Sequence, residues 1–425
     1  MDPSSPPPRP RLANRNFVLL WQGQAISQIG DQAFAIAMAF WVAEKTGSAS
    51  LMGLLLTVGA IPVILLGPVG GVAADRWPRM RIVVLCDLVG GLTMLAVSLL
   101  LLVGHTTTQT TVVLLFVAAL VLGIIRAFFM PAVNAVLPDI VPAERLAAAN
   151  SWSQFSFQGS LLLGQGLGGV LYQLLGAPLL FLVDGVSFLF AAGSEALVRL
   201  PAGLAVPAMP ETPGERPGAF AQFRAELYEG LRYTRQKPGL LGFVLSVTAY
   251  NFFLMPVFVL LPFYVRNTLG AGAQWYGFLL AAVSVGAILG FVVAGILKLQ
   301  GPARSGLVIA TSLLAPAPFL VGFVHSPKPA LACAAALGVM IGIINVNFTT
   351  IVQESTPPEL RGRVMGLLAT VAGSLTPIGF ALGGIVGDLT GKNIPLIYAT
   401  CAAASFVFSL VALGRKSTRR FIAYG

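Results

Sequence analysis

Uninterrupted apolar runs of about twenty residues or more recur along this chain, and they restrict its fold more than any other feature. Across roughly 30 Å of hydrocarbon no water serves the backbone N–H and C=O groups, so each run must satisfy them internally as a helix. The runs lie near 16–43, 50–74, 81–103, 111–136, 150–174, 178–199, 239–267, 273–298, 304–324, 329–354, 362–387 and 393–414. They predict an all-α polytopic membrane protein with twelve transmembrane helices. Composition agrees: 10% of the residues are charged and 56% are hydrophobic, whereas about a quarter of a soluble domain is charged.

A net charge of +10 raises the question of a nucleic-acid partner, and the placement of the charge answers it. Alternate connections carry Arg9, Arg11 and Arg15; Arg76, Arg79 and Arg81; Arg145; Arg199, Arg216, Arg224, Arg232, Arg235 and Lys237; Lys298 and Arg304; Arg361 and Arg363; and Arg415, Lys416, Arg419 and Arg420. The other side holds Lys45, Arg266, Lys328 and Lys392. By the positive-inside rule both termini are expected in the cytoplasm, and the excess charge is a topology signal that makes nucleic-acid binding unnecessary. Cys86, Cys333 and Cys401 are isolated within apolar spans and read as packing residues, without metal or disulfide spacing. His105 and His325 fall in short outer loops and read as solvated. No metal site is expected.

The long polar connection at 200–238 divides the chain into two six-helix bundles, 16–199 and 239–414, between a Pro/Arg-rich tail (1–15, without a cleavage pattern) and a basic tail (415–425). Within the connection Phe220, Phe223, Leu227 and Leu231 stand at helical spacing against Arg224, Glu226, Glu229 and Arg232, the pattern of an amphipathic helix on the inner membrane surface. The bundles also repeat each other. GLGGVLYQLLG (166–176) aligns with ALGGIVGDLTG (381–391), and the same offset sets Asp139 over Glu354 and Glu144 over Glu359; Gly53 matches Gly277. Parallel six-helix repeats of this kind place a substrate site near the midplane, at the repeat interface.

Between the second and third runs, GPVGGVAADRWPRMR (67–81) gathers Gly67, Gly70, Gly71, Asp75, Arg76, Arg79 and Arg81. The glycines share one side of a helix and allow another helix to come close. Asp75 at a helix end is poorly placed for that helix's own dipole, so it is expected to face an arginine or the amino end of another helix.

This motif resembles the one between spans two and three of the major facilitator superfamily, with Pro78 where the family usually has its second glycine. The resemblance implies that the aspartate and arginines latch the halves together on the cytoplasmic side when the cavity opens outward, with Asp139 or Glu144 as the acidic partner and Glu354 as the equivalent in the second half. Topology alone is the plainer reading of the same arginines. The segments NFVLLWQGQAISQIGDQAF, GIIRAFFMPAVNAVLPDIVPAERLAAANS, FLVDGVSFL and VQESTPPELRGRVMG further resemble the macrolide-efflux and siderophore-exporter branch of drug:proton antiporters, across essentially the whole chain. One departure stands out: antiporters of the superfamily often carry Gly-Pro-x-x-Gly-Gly in span five, and here Gly164, Gly168 and Gly169 remain while Gln165 replaces the proline. Gly383 and Gly384 are the matching packing glycines of the second half.

An ionised side chain at the bilayer centre costs about 2.5 to 3.5 kcal/mol on insertion scales, so deep charges are functional candidates. Asp31 and Arg126 each lie about fifteen residues into their spans, which at roughly 1.5 Å per residue puts both near the midplane. Gln24, Gln28 and Asp31 form one stripe of the first span; Arg126, Met130 and Asn134 form one of the fourth, beside a bending Pro131. Gln158, Asn251, Met255, Phe258, Asn345 and Thr349 complete the expected substrate cavity. Asp31 and Arg126 read either as a proton-coupling pair or as a structural ion pair, and each amide either as a cavity group or as a hydrogen bond between helices. Asp184 and Asp87 read as local packing contacts, and Glu195 as a surface partner of Arg199 one turn on.

These features predict a secondary active exporter of a moderately large amphipathic molecule, driven by the proton gradient and requiring no cofactor, since no phosphate-binding loop is visible. A lysophospholipid translocator of the same fold is the alternative. No nucleophile, base or metal cluster supports an enzyme. The resemblance implies a monomer in a bacterial cytoplasmic membrane, in contact with lipid.

Overall fold

The computed structural model describes residues 14–104, 106–199, 228, 231–232, 234–297 and 299–424. The amino-terminal tail, His105, Lys298 and most of the 200–238 connection with its expected amphipathic helix lie outside the described residues, as do the side chains of Glu359 and Arg363. What is described is helical. The first bundle comprises α1 (Arg15–Lys45), α2 (Ala49–Arg76), α3 (Arg79–Val103), α4 (Thr108–Ile140) and the helical stretch Leu146–Ala196. Gly176, at φ 75° and ψ 171°, breaks that stretch into α5 (146–175) and α6 (177–196). The second bundle comprises α7 (Leu240–Phe263), α8 (Ala273–Ile296), α9 (Gly301–Leu314), α10 (Pro327–Ser355), α11 (Pro358–Ser374), α12 (Thr376–Leu389), α13 (Ile394–Gly414) and α14 (Lys416–Tyr424). By length and composition, ten described helical segments can cross a membrane, the α5–α6 stretch being one of them. Side-chain caps open several: Asn14 accepts from the Phe17 N–H at 2.9 Å, Ser48 from Leu51 at 3.2 Å and Thr107 from Thr110 at 3.1 Å.

Prolines explain where the structure departs from continuous spans. The ninth run stops as an α-helix at Leu314, and Pro316 and Pro318 turn it into a 3₁₀ segment over Ala317–Phe323. The run at 362–387 breaks at Leu375, because Pro377 cannot donate back to the preceding turn. The basic stretch after Gly414 is itself a helix, whose Phe421 and Ile422 are buried in the core of the second bundle while Arg419 and Arg420 stay exposed.

We call the face on which α1 begins proximal and the face on which it ends distal. The bundles meet at the distal face through glycines, and the repeat is visible there residue by residue. A Cβ on Gly168 would stand 3.1 Å from Ala33 Cα, and one on Gly383 would stand 2.7 Å from Pro256 Cα, so the first glycine of each pair packs within its own bundle. A Cβ on Gly169 would run into the Ala273 carbonyl, and one on Gly384 into the Ala49 carbonyl, so the second packs across the two bundles. Gly53 and Gly277 complete the seams, against the carbonyls of Phe380 and Gln165. Gly164 lets α5 approach Ile29 and Gln32 of α1. These are helix contacts through small residues, which hydrocarbon solvent favours by packing alone.

Hydrogen bonds between the bundles gather toward this distal side: Asp388 with Ser48, Ala49 and Ser50, Ser50 with Gly384, Thr57 with Pro377, Arg266 with Ala43 and Glu44, and Ser284 with Gln165. The cores divide in the same way. One apolar core runs through both bundles distally, whereas the proximal side has two separate cores, around Ile82 and Val136 in the first bundle and Phe243 and Ile351 in the second. The molecule is therefore sealed at one face and parted at the other.

Candidate functional site

Helices α1 and α4 face each other along a groove with two chambers. The proximal chamber, about 240 Å³, is lined by Gln24 and Gln28 of α1, Met130 and Asn134 of α4, and Asn150 and Gln154 of α5. The distal chamber, about 460 Å³, is apolar: Phe34 and Met38 of α1, Leu55 of α2, Leu122 of α4 and Phe380 of α12 line it, with Arg126 as its charged group. Asp31 and Arg126 stand between the two, Nη2 to Oδ2 at 3.6 Å. The helical stripes Gln24–Gln28–Asp31 and Arg126–Met130–Asn134 thus face one another as their spacing predicts. The pair is asymmetric in environment, the Arg126 side chain being 53% exposed and that of Asp31 21%. A guanidinium so open to the groove can be shared with cargo, whereas Asp31 Oδ1 is buried and has no hydrogen-bond donor.

A second carboxyl group stands behind Asp31. Asp184 of α6 is fully buried, and neither of its carboxylate oxygens has a partner. It fits because residue 30 is glycine: a Cβ there would come 2.7 Å from Asp184 Oδ1. The local packing contact expected of Asp184 is thus with α1, one residue from the ion pair.

The structure corrects the expectation for Glu195. It does not pair with Arg199 at the surface; Arg199 is exposed and donates its backbone N–H to Asn16 at 3.1 Å, while Glu195 is completely buried. Gln24 Nε2 donates to Glu195 Oε1 at 2.6 Å, and the Asp87 carboxyl of α3 lies within hydrogen-bonding reach on the other side. Asp87 is 1% exposed, so it too is buried within the bundle. The physical reason is helix rotation: α6 turns the Glu195 side toward α1 and α3, which an i, i+4 spacing cannot foresee. The available signal was the absolute count of acids in apolar runs, each expensive enough to need an account.

The loop motif forms part of the expected contacts. Arg79 Nη1 meets Asp139 Oδ2 at 2.7 Å and the Ala135 carbonyl at 3.1 Å, so Asp139 is its partner. The contact joins the start of α3 to the end of α4 within one bundle, and across the parted proximal face it links nothing. Arg304 meets Glu354 at 2.5 Å in the second bundle, the counterpart that the repeat predicts. Asp75, Arg76, Arg81 and Glu144 are exposed. Of the motif's glycines Gly70 packs on Ala127 and Phe128 of α4, whereas a Cβ on Gly67 or Gly71 would meet open space.

The second bundle contributes less to the groove than expected. Asn251, Met255, Asn345 and Thr349 line neither chamber, and Gln158 of α5 does not reach the proximal one. Met255 packs against Gly379, and Phe258 lines a small internal void between α7 and α10. Asn345 is exposed and returns its amide to the Ile341 carbonyl at 3.1 Å, the self-satisfied state of a helix amide. Among the described residues, no group of histidine, cysteine and carboxylate side chains could hold a metal, and the three cysteines are free.

The sequence model of the Major Facilitator Superfamily matches residues 20–375 and 257–420. Macrolide efflux protein A of Streptococcus pyogenes is 26% identical over 387 residues, covering 89% of this chain and 90% of that protein. Multidrug efflux pump Tap of Mycolicibacterium fortuitum is 25% identical over 393 residues, covering 90% and 91%. Among solved structures, a bacterial homologue of the iron transporter ferroportin in its inward-facing state superposes with a TM-score of 0.71 at 18% identity, covering 94% of this chain and 99% of that one. A D-xylose-proton symporter superposes with a TM-score of 0.69 at 14% identity, covering 95% and 98%. At these identities the solved structures share the fold alone.

Proposed function

The chain belongs to the major facilitator superfamily, and on that premise we propose that it exports moderately large amphipathic molecules, macrolide-like compounds among them, in exchange for protons. It crosses a bacterial cytoplasmic membrane twelve times with both termini inside and acts as a monomer; on that orientation the parted proximal face opens to the cytoplasm. The observation that carries the reading is the two-chamber groove: amides on one side, hydrocarbon on the other, and the Asp31–Arg126 pair at the junction. A cargo with one polar and one apolar end fits that division. The similarity to macrolide and multidrug efflux proteins supports the cargo class.

Alternating access follows from the seams. Cargo enters through the parted proximal face; parting of the glycine seams and closure of the proximal side then expose it to the exterior. In that closed state Asp75 and Arg76, free of the opposite bundle here, latch it. Coupling falls to Asp31: with Arg126 beside it the carboxylate is favoured, and when Arg126 turns to cargo the unpaired acid takes up a proton. Arg126 stays charged throughout. The deciding experiment is uptake of erythromycin into inverted vesicles with and without an imposed pH gradient, with lysophosphatidylcholine as a parallel cargo. Gradient-dependent accumulation of the macrolide is the expected outcome; accumulation of the lysolipid alone would replace the drug reading by lipid translocation.

A further inference from the structure

Two carboxyl groups away from the central groove are arranged as a pair for which the mechanism above has no use. Asp87 of α3 and Glu195 of α6 are 1% and 0% exposed and within hydrogen-bonding reach of each other. Asp87 Oδ2 and Glu195 Oε2 are both buried, and no N–H or O–H group among the described residues donates to either. No described cation pairs with them: Arg126 is engaged by Asp31, and Arg199 is exposed. Their titratable neighbours are Cys86 on α3, Asp31 on α1 and each other. Two bare carboxylates at this contact repel, and in a medium without counter-ions that repulsion is unscreened. One proton held between the two carboxyl groups removes the repulsion and supplies a donor that no described residue provides.

We propose that Asp87 and Glu195 hold one shared proton, a second proton site beside Asp31, and that Gln24 connects it to the cargo chamber. Gln24 lines the proximal chamber and donates from Nε2 to Glu195 Oε1 at 2.6 Å, so one amide touches both cargo space and acid pair. A cargo hydroxyl or ammonium that donates to Gln24 Oε1 polarises the amide and strengthens its N–H donation to Glu195. The strengthened bond favours the doubly ionised pair, and the proton leaves to chamber water. Cargo bearing an O–H or N–H donor therefore displaces a proton, the direction that exchange requires. This last step rests on the exporter reading; the shared proton does not.

The test is chosen to separate the two. Infrared pH-difference spectra of the purified full-length protein without cargo report protonated carboxyl groups through their C=O stretch. Glu195→Gln and Asp87→Asn should each remove the same acid band, and the double variant should remove no more than either single one, because one proton is shared by two groups. Asp31→Asn should leave that band in place. Each introduced amide can donate to the remaining carboxylate as the protonated acid does, so either variant suffices if the other fails to purify. Retention of the band in a folded single variant, or losses that add in the double variant, would overturn the proposal. A second readout adds erythromycin to weakly buffered protein and records proton release with an indicator dye; Glu195→Gln should reduce release at least twofold. Undiminished release in that variant overturns the link to cargo. A shared band with no release from the unsubstituted protein upholds the pair and sinks the macrolide–proton exchange instead.

Discussion

The two bundles meet through one seam design used twice, but they differ in what lies behind it. Behind the α1–α4 groove the first bundle buries Asp87, Asp184 and Glu195 and sets Asp31 against Arg126. At comparable depth the second places hydroxyl groups such as Ser246, Thr248 and Ser284. A similar inequality marks the seams. Asp388 of α12 caps the start of α2, accepting from Ser48 Oγ at 2.8 Å and from the N–H groups of Ala49 and Ser50 at 3.0 and 2.9 Å. The repeat puts Gln173 of α5 in the matching place at the start of α8, beside Gly272. One seam is thus closed by a carboxylate on a helix amino end, where the dipole favours it, and the other by a neutral amide. The difference teaches that packing and buried charge are divided between the halves: both supply glycine seams, and the first buries Asp87, Asp184 and Glu195.

The severest test of the shared seam is Gly384→Leu against Gly169→Leu. Each side chain would have to displace backbone of the opposite bundle, beyond the ordinary overpacking cost of about 1 to 3 kcal/mol. Transport should fall at least tenfold in both, and spin-label distances across the distal mouth should lengthen. Damage confined to one variant would show that the seams are not equivalent.

Next in size is the charge contrast. Removing one member of a buried pair can cost about 3 to 5 kcal/mol, but Arg126 is half open to the groove, so Asp31→Asn should cost less, on the order of 1 to 2 kcal/mol. It should abolish uphill accumulation while sparing downhill exchange. Adding Arg126→Gln should restore thermal stability but leave uphill transport absent. Asn345→Ala in the second bundle should change melting by less than the equivalent of about 0.5 kcal/mol; a fall matching that of Asp31→Asn would erase the contrast.

Removing the carboxylate cap by Asp388→Ala should cost the sealed state about 1 kcal/mol, a shift of about fivefold toward opening of the distal face, whereas Gln173→Ala should shift it by less than about twofold. Double electron–electron resonance across that face reads both, and equal shifts would mean that the carboxylate adds nothing to the seam. The last contrast is between the proximal ion pairs. Arg79→Ala should destabilise its bundle by about 1 kcal/mol and Arg304→Ala by less, because Glu354 is 53% exposed and Asp139 only 12%; thermal unfolding in detergent gives the order.

Part of the candidate site was legible in the sequence. The contact of Asp31 with Arg126 was, because each stands at a computable position along its helix and the cost of a charge in hydrocarbon singles it out. The second-bundle residues Asn251, Asn345 and Thr349 had the right depth too, and depth alone does not place them in a chamber. Glu195 shows the converse, a reading by i, i+4 spacing that gave a local partner to a side chain whose contacts come from two other helices.

By itself the sequence determined most of the long apolar helices, the glycine pairs and the positions of Asp31 and Arg126 along their helices. Each depends on the length of one segment or on an offset between two, and the requirement that backbone groups be satisfied within the bilayer is local to a segment. Tertiary structure decided which side of each helix faces which neighbour, and with it the groove along α1 and α4, the sealed and parted faces, and the burial of Asp87 against Glu195. That choice is a rotation about the helix axis, set by where glycines let backbones touch, and in hydrocarbon no difference in hydrophobicity between lipid and helix selects it.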